Sequence, residues 1–185
     1  MAMVRTPITV ADYFDVAADV PEHTQLIDGV IVRSQPTWRH QRATGLIYAR
    51  LLAWTESAAG FGVAGLPIDV ILDDHDVYAP DVWWIAEPAR VRPDEHFRGV
   101  PDVAVEVRSP STWRYDTGIK KQRYEQHGLP ELWLVDTTAQ AVVVHRRSSP
   151  AAPAFDVETK VTSGEDITSA LLPCFALGLD DILRD

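Results

Sequence analysis

Three polar residues in a fixed order carry the chemistry this sequence offers: Asp81, Glu106 and Lys120. Asp81 stands in Ala79-Pro80-Asp81-Val82-Trp83-Trp84-Ile85, and Glu106 interrupts the apolar run Val103-Ala104-Val105-Glu106-Val107. Both segments read as buried strands, and Lys120 lies on a helix expected just beyond them. An ionised carboxylate inside a strand is costly unless it is paired or binds a metal. Two such carboxylates on neighbouring strands, approached by a helical lysine, make a divalent-metal site suited to cutting a phosphodiester. The structural alternative has Asp81 capping a strand end and Glu106 paired with Arg108 or another base.

The elements that must position these groups can be read along the chain. Thr9 followed by Asp12 imitates a capping box and opens a short helix. Residues 25–32 read as a hairpin around the Asp28-Gly29 turn. A long amphipathic helix is expected over 39–58, with Arg39, Arg42 and Arg50 inside an arc of roughly 80°. Strands follow at 66–72 and 77–85 around the acidic turn 73–76, and another at 102–108. Ser109-Pro110-Ser111-Thr112 ends that strand and starts a helix over 113–127, which Gly128-Leu129-Pro130 stops. Strands at 131–135, 141–147 and 155–161 complete the pattern, before a short strand and a terminal helical turn. This order predicts an α/β architecture, a mixed β-sheet flanked by helices, in one domain over 1–185.

Helical geometry selects among the basic residues. Asp116, Lys120 and Tyr124 recur at i, i+4 and i+8 on one face, whereas Lys121 points about 100° away. A plain surface pair between Asp116 and Lys120 is the bland alternative.

The chain has 185 residues, 46% of them hydrophobic and 24% charged, as in ordinary globular proteins. No apolar run is long enough to span a membrane, and the first residues contain no secretory apolar core. With the single cysteine, Cys174, a cytoplasmic location is expected. The net charge of −10 argues against a general nucleic-acid coat protein. It leaves room for local basic surfaces, one with Arg39, Arg42 and Arg50, another with Arg114, Lys121 and Arg123.

The segment 101–112, together with Tyr115-Asp116-Thr117-Gly118-Ile119-Lys120, Tyr124 and Gly128-Leu129-Pro130-Glu131-Leu132-Trp133-Leu134-Val135-Asp136, resembles the Uma-type family of putative restriction endonucleases, in the PD-(D/E)XK nuclease superfamily. Leu26-Ile27-Asp28-Gly29, Arg39-His40-Gln41, Pro80-Asp81-Val82 and Leu172-Pro173-Cys174-Phe175 match as well, so the resemblance covers nearly the whole chain. It implies a restriction-endonuclease-like core. It implies Mg²⁺- or Mn²⁺-dependent hydrolysis of DNA by a metal-activated water, by an enzyme that works as a homodimer. Asp81, Glu106 and the carbonyl of Val107 would hold the metal, with Lys120 as the catalytic lysine and His40 in support. The superfamily usually carries its lysine two residues after the second acid, where this chain has Arg108. Gln25 stands where the family commonly has an acid. These departures, with the negative charge, sustain one alternative, a catalytically inactive relative that binds nucleic acid or protein; the modest basic surface leaves open another, a hydrolase of another phosphodiester.

Other features carry less. Asp73-Asp74-His75-Asp76 lacks the Gly and distal Glu of an EF-hand loop and reads as a solvated turn. Ser109 and Ser111 lack a nucleophile elbow. Asp102 sits at a strand entrance. Trp38 and Trp113 flank the proposed site and are expected to pack in the core.

Overall fold

A threonine and an aspartate begin the first helix. Thr9 N–H donates to Asp12 Oδ2 (3.1 Å) and Asp12 N–H to Thr9 Oγ1 (3.2 Å), the reciprocal bonds of a capping box. In this computed structural model, which describes residues 7–16 and 23–183, that helix is α1 (Val10–Val16). The hairpin follows as β1 (Thr24–Ile27) and β2 (Val30–Arg33). Asp28 and Gly29 have φ of 50° and 70°, as a two-residue type I′ turn requires. The long helix is α2 (Trp38–Thr55), whose cap Thr37 accepts the His40 N–H through its hydroxyl.

The chain continues through β3 (Val63–Gly65), β4 (Val70–Asp73), β5 (Asp76–Tyr78), β6 (Val82–Ile85), β7 (Phe97–Arg98) and β8 (Val103–Val107). Next come α3 (Trp113–Tyr115), a wide helical turn Asp116–Lys120 and α4 (Lys121–Gln126). The remainder is β9 (Glu131–Asp136), β10 (Ala141–Arg146), β11 (Val157–Val161), β12 (Asp166–Ile167), β13 (Leu177–Gly178) and α5 (Leu179–Leu183).

A six-stranded sheet runs β11-β10-β9-β8-β6-β3, and a five-stranded one β2-β1-β5-β4-β7. Each is mixed, with one parallel contact, β8 to β9 in the larger and β4 to β7 in the smaller. The larger sheet is covered on both faces. Val103, Val105 and Val107 join Ala43, Ile47 and Leu51 of α2 in one core. Ala104, Leu132 and Leu134 face the other way, against Tyr124 and Leu129. Burial on both faces is why these strands read as apolar runs. The expected α/β core of mixed sheet flanked by helices is the one observed.

Four expected elements differ. The strand read over 77–85 is two strands in two sheets, separated at Ala79-Pro80-Asp81. Proline has no N–H for a ladder, and the Ala79 N–H goes instead to Gln25 Oε1 (3.1 Å). The helix read over 113–127 is interrupted at Gly118 (φ −111°, ψ −106°), which widens the turn around it. The strand read over 66–72 is only β4, and β3 precedes it. The helix α2 also stops short of residue 58. At Gly60 a β-carbon would lie 1.7 Å from the Trp54 carbonyl oxygen, so only glycine permits that close return.

Candidate active site

Alternation along β8 decides where Glu106 goes. Val105 and Val107 point to α2, so Glu106 points to the opposite face, towards α4. There Lys120 arrives fully buried, its Nζ 2.7 Å from Glu106 Oε1 and 2.9 Å from Asp116 Oδ1. The Tyr124 hydroxyl donates to the same Glu106 oxygen (2.9 Å), and the Thr112 hydroxyl donates to Asp116 Oδ2 (3.0 Å). Asp116, Lys120 and Tyr124 share one face, as their spacing predicts. The surface-pair alternative is excluded, because all three are buried. The Tyr78 ring closes the pocket, 5.4 Å from Lys120 Nζ.

Burial pushes the Glu106 carboxyl up to about 8; Lys120 opposes the rise, and the charges of Asp116 and Asp81 reinforce it. Burial alone would lower the Lys120 pKa, but Asp116 and Glu106 overcome that and raise it. Lys120 is therefore an ammonium throughout the working range. Burial, then Glu106, raises the Tyr124 hydroxyl well above its usual value, so it remains a donor.

Asp81 reaches the same sheet edge from the other side. Its N–H bonds to the Val105 carbonyl (2.9 Å), which starts β6 beside β8. Its Oδ2 accepts the Val107 N–H (2.7 Å), taking the place of a strand partner where β6 has ended. Its Oδ1 lies 3.1 Å from His40 Nε2 on α2. Within a strand the N–H and C=O of one residue point to the same side. The Val107 carbonyl therefore points to the Asp81 side.

These groups suit a hard cation. Asp81, Glu106 and the Val107 carbonyl are all-oxygen donors at one sheet edge, and Mg²⁺ completes such a partial set with water. Glu106 Oε1 takes the Lys120 and Tyr124 bonds, which leaves Oε2 for a cation. Glu106 and Asp116 share one lysine, and the charge of Asp81 also acts on Glu106, so a cation would relieve the crowding of acids. Among the described residues no cluster of three or more His, Cys, Asp or Glu forms a ready-made metal cage.

The other expected residues are placed as follows. Arg108 does not pair with Glu106. Its Nη1 lies 2.9 Å from both oxygens of Asp136, and its guanidinium lies over the Trp113 ring. Gln25 is buried and engaged with Ala79. Arg123 spans Asp28 (2.7 Å) and the fully buried Asp76 (3.2 Å). Arg42 donates to the Ile182 carbonyl and Arg50 to the Ala176 carbonyl, so both brace the C-terminal segment. Arg39 and Arg114 are exposed and Lys121 is half-buried. Trp38 is 78% exposed, against the expectation of core packing, because it lies on the solvent side of α2. Trp113 is half-buried, and Asp102 holds the Ala86 N–H and Arg90. Thr112, Tyr78 and Thr44 escaped the sequence reading. Thr112 precedes Asp116 by four residues and Thr44 follows His40 by four, a helical spacing that could have found both.

The profile of the Uma2 family, described as "putative restriction endonuclease", matches residues 10–179. The structure is similar to the crystal structure of a putative nuclease belonging to DUF820 from Anabaena variabilis, with a TM-score of 0.75 and 18% sequence identity over 96% of this chain and 98% of that one. At that identity the likeness establishes the fold. No curated protein matches the chain. Among the described residues no helix is long and apolar enough to cross a membrane.

Proposed function

The chain belongs to the Uma2 family, and from that premise we propose that it is a metal-dependent endonuclease hydrolysing phosphodiester bonds of DNA. The observation that carries the reading is the fully buried Lys120, held between Glu106 and Asp116 beside a sheet edge that also presents Asp81.

Asp81, Glu106 and the Val107 carbonyl are the residues that would hold Mg²⁺ or Mn²⁺. When bound, the cation supplies Lewis acidity to the phosphoryl oxygens and makes a nearby water more acidic. His40 fixes the Asp81 carboxylate through Oδ1, and the Val107 N–H fixes it through Oδ2. Lys120 orients Glu106 and offsets negative charge next to a substrate that is itself anionic. As an ammonium it holds its proton and is not the base. Tyr124, Asp116 and Thr112 keep Lys120 and Glu106 in register. Arg39, Arg114 and Lys121 are the basic side chains that would meet the phosphate backbone on this reading. We further propose that residues 1–185 act as one domain in the cytoplasm, and that a homodimer presents two sites to the two strands.

Incubation of supercoiled plasmid with the protein and Mg²⁺ or Mn²⁺ tests this. Nicking by the wild type that Glu106→Ala and Lys120→Ala both remove is the expected outcome. Nicking that survives both substitutions assigns the activity elsewhere.

One set of observations favours a second reading, a non-catalytic relative that binds nucleic acid or protein. Gln25 replaces the acid common in the family, and Arg108 is engaged by Asp136. No nicking with either metal, together with no metal-induced thermal stabilisation, would favour it. A steep salt dependence of binding separates a long duplex footprint from a small phosphodiester substrate.

A further inference from the structure

Beside Asp81 lies a half-open cavity of about 380 Å³, bounded by β1, the first turns of α2 and the segment before β4. The cluster of Glu106 and Lys120 does not contribute to its lining; Asp81 and His40 do. Its size is at the small end of ligand-binding cavities.

Two of its lining side chains are buried polar groups with unmet hydrogen bonds. His40 is 4% exposed and Thr44 is 5% exposed, and neither His40 Nδ1 nor Thr44 Oγ1 has a partner. Native proteins rarely leave such atoms unsatisfied unless a ligand, water or function completes them. The His40 ring places its Nε2 against Asp81 Oδ1, so the proton belongs on Nε2 and Nδ1 is left as an acceptor. Gln25, also on the lining, uses its Oε1 for the Ala79 N–H, which leaves its amide NH₂ to donate. Leu66 and Pro67 add apolar surface to the lining.

The ligand chemistry follows from that set. Among the described residues no lysine or arginine lines the cavity, and one aspartate does, so a phosphate is disfavoured there. A flat, neutral heterocycle with donors and acceptors on its edge and apolar faces is favoured. We propose that this cavity receives one unstacked nucleobase of the substrate strand, read on its edge by Gln25, His40 and Thr44. The proposal rests on the nuclease reading and deepens it. A base still stacked in a duplex cannot turn its edge down into a concave cavity, so the substrate is single-stranded DNA or DNA with a nucleotide turned out of the helix.

Binding in EDTA tests the cavity without requiring cleavage. The probes are short single-stranded DNA oligonucleotides, the same strands with an abasic residue scanned along them, and the matching blunt duplex. The intact single strand should bind at least about tenfold tighter than the duplex, and one abasic position should cost about tenfold. Thr44→Val and Gln41→Ala should each weaken the intact strand several-fold and leave the abasic strand unchanged. Gln41 lines the cavity from an exposed position, so its truncation leaves the fold intact. A flat abasic scan, or variants that weaken intact and abasic strands equally, overturns the proposal. The plasmid assay separates the two readings. Nicking with a flat scan sinks the base cavity alone, whereas a discriminating scan with no Mg²⁺- or Mn²⁺-dependent cleavage of either the plasmid or the single-stranded oligonucleotide supports the cavity and sinks the nuclease.

Discussion

Two glutamates lie on adjacent parallel strands, both almost fully buried, and the protein treats them differently. Glu106 is near the C-terminal end of β8, and Glu131 opens β9 at the opposite end of the same parallel pair. Burial raises both pKa values. The surroundings divide them. Glu106 has an ammonium at 2.7 Å, a tyrosine hydroxyl at 2.9 Å and two further carboxylates near enough to act on it. Glu131 has the Trp133 indole N–H at 2.6 Å and Arg146 at 3.9 Å. A cation would relieve the crowd of negative charge around Glu106 and would find no second carboxylate at Glu131. The C-terminal ends of parallel strands are also where open α/β sheets place their ligands. On the proposed reading, what separates Glu106 from Glu131 is therefore company of like charge around one lysine, and burial is common to both.

The most direct way to break this comparison is to remove each glutamate and compare rates. Glu106→Ala and Lys120→Ala should each lower plasmid nicking by about 10³-fold, the upper range for losing one fixed electrostatic group. Glu131→Gln should keep the rate within about threefold. Equal losses at the two glutamates would erase the distinction.

Stability sharpens it. Lys120→Met strands two buried carboxylates, and removing one partner of a buried pair costs about 3–5 kcal/mol. Adding Glu106→Gln should return part of that loss, because the two residues touch and their effects are not additive. Urea unfolding of the wild type, both single variants and the double variant measures the coupling.

Metal should act at one glutamate only. At ten times its dissociation constant a cation stabilises by about 1.4 kcal/mol. Thermal melts with Mg²⁺ or Mn²⁺ should show that upward shift in wild type and in Glu131→Gln, and lose it in Asp81→Asn.

A smaller effect concerns pH. The folded-state pKa of Glu131 lies above its unfolded value because burial outweighs the Trp133, Ser169 and Arg146 contributions. A raised folded pKa contributes stability that is complete below the unfolded value, near 4.5. That contribution is lost as pH rises through the folded value. Glu131→Gln has no such proton to lose, so its melting temperature should gain on that of wild type between pH 4.5 and neutrality. A constant difference across that range would contradict the assignment.

Much of the frame was legible because it is written in local rules. The capping box at Thr9 and Asp12 and the turn at Asp28-Gly29 follow from spacing and residue type alone. So does the shared face of Asp116, Lys120 and Tyr124, which survives the irregular turn at Gly118 because the side chains still meet in the core. The break at Pro80 was harder to see. A proline inside an apolar run signals an edge, but which sheet each half joins depends on Gln25, far away in sequence, accepting the Ala79 N–H. The uses of Arg108, Arg42 and Arg50 were likewise decided by distant partners, Asp136 and two C-terminal carbonyls. Cavities leave no periodic trace at all, so the one beside Asp81 had no sequence signal beyond the helical spacing of His40 and Thr44.

Arg108 supplies the smallest and most discriminating test. It occupies the position where the superfamily usually has its lysine, two residues past Glu106. Yet the side chain turns to Asp136 and lies over Trp113, about one-third exposed, at 34%. A half-exposed pair of this kind is worth roughly 0.5–1 kcal/mol. Arg108→Lys keeps the charge and loses the planar guanidinium that lies over Trp113 and reaches both Asp136 oxygens through one nitrogen. It should therefore lower stability by no more than about 1 kcal/mol and change nicking by less than about threefold. If Arg108 were the lysine's stand-in at the reacting phosphate, the rate would change far more than the stability, and a lysine there would raise it. Nicking rates and urea midpoints for this one variant thus decide whether the cation beside the acids comes from the strand or, as the buried contacts of Lys120 argue, from the helix.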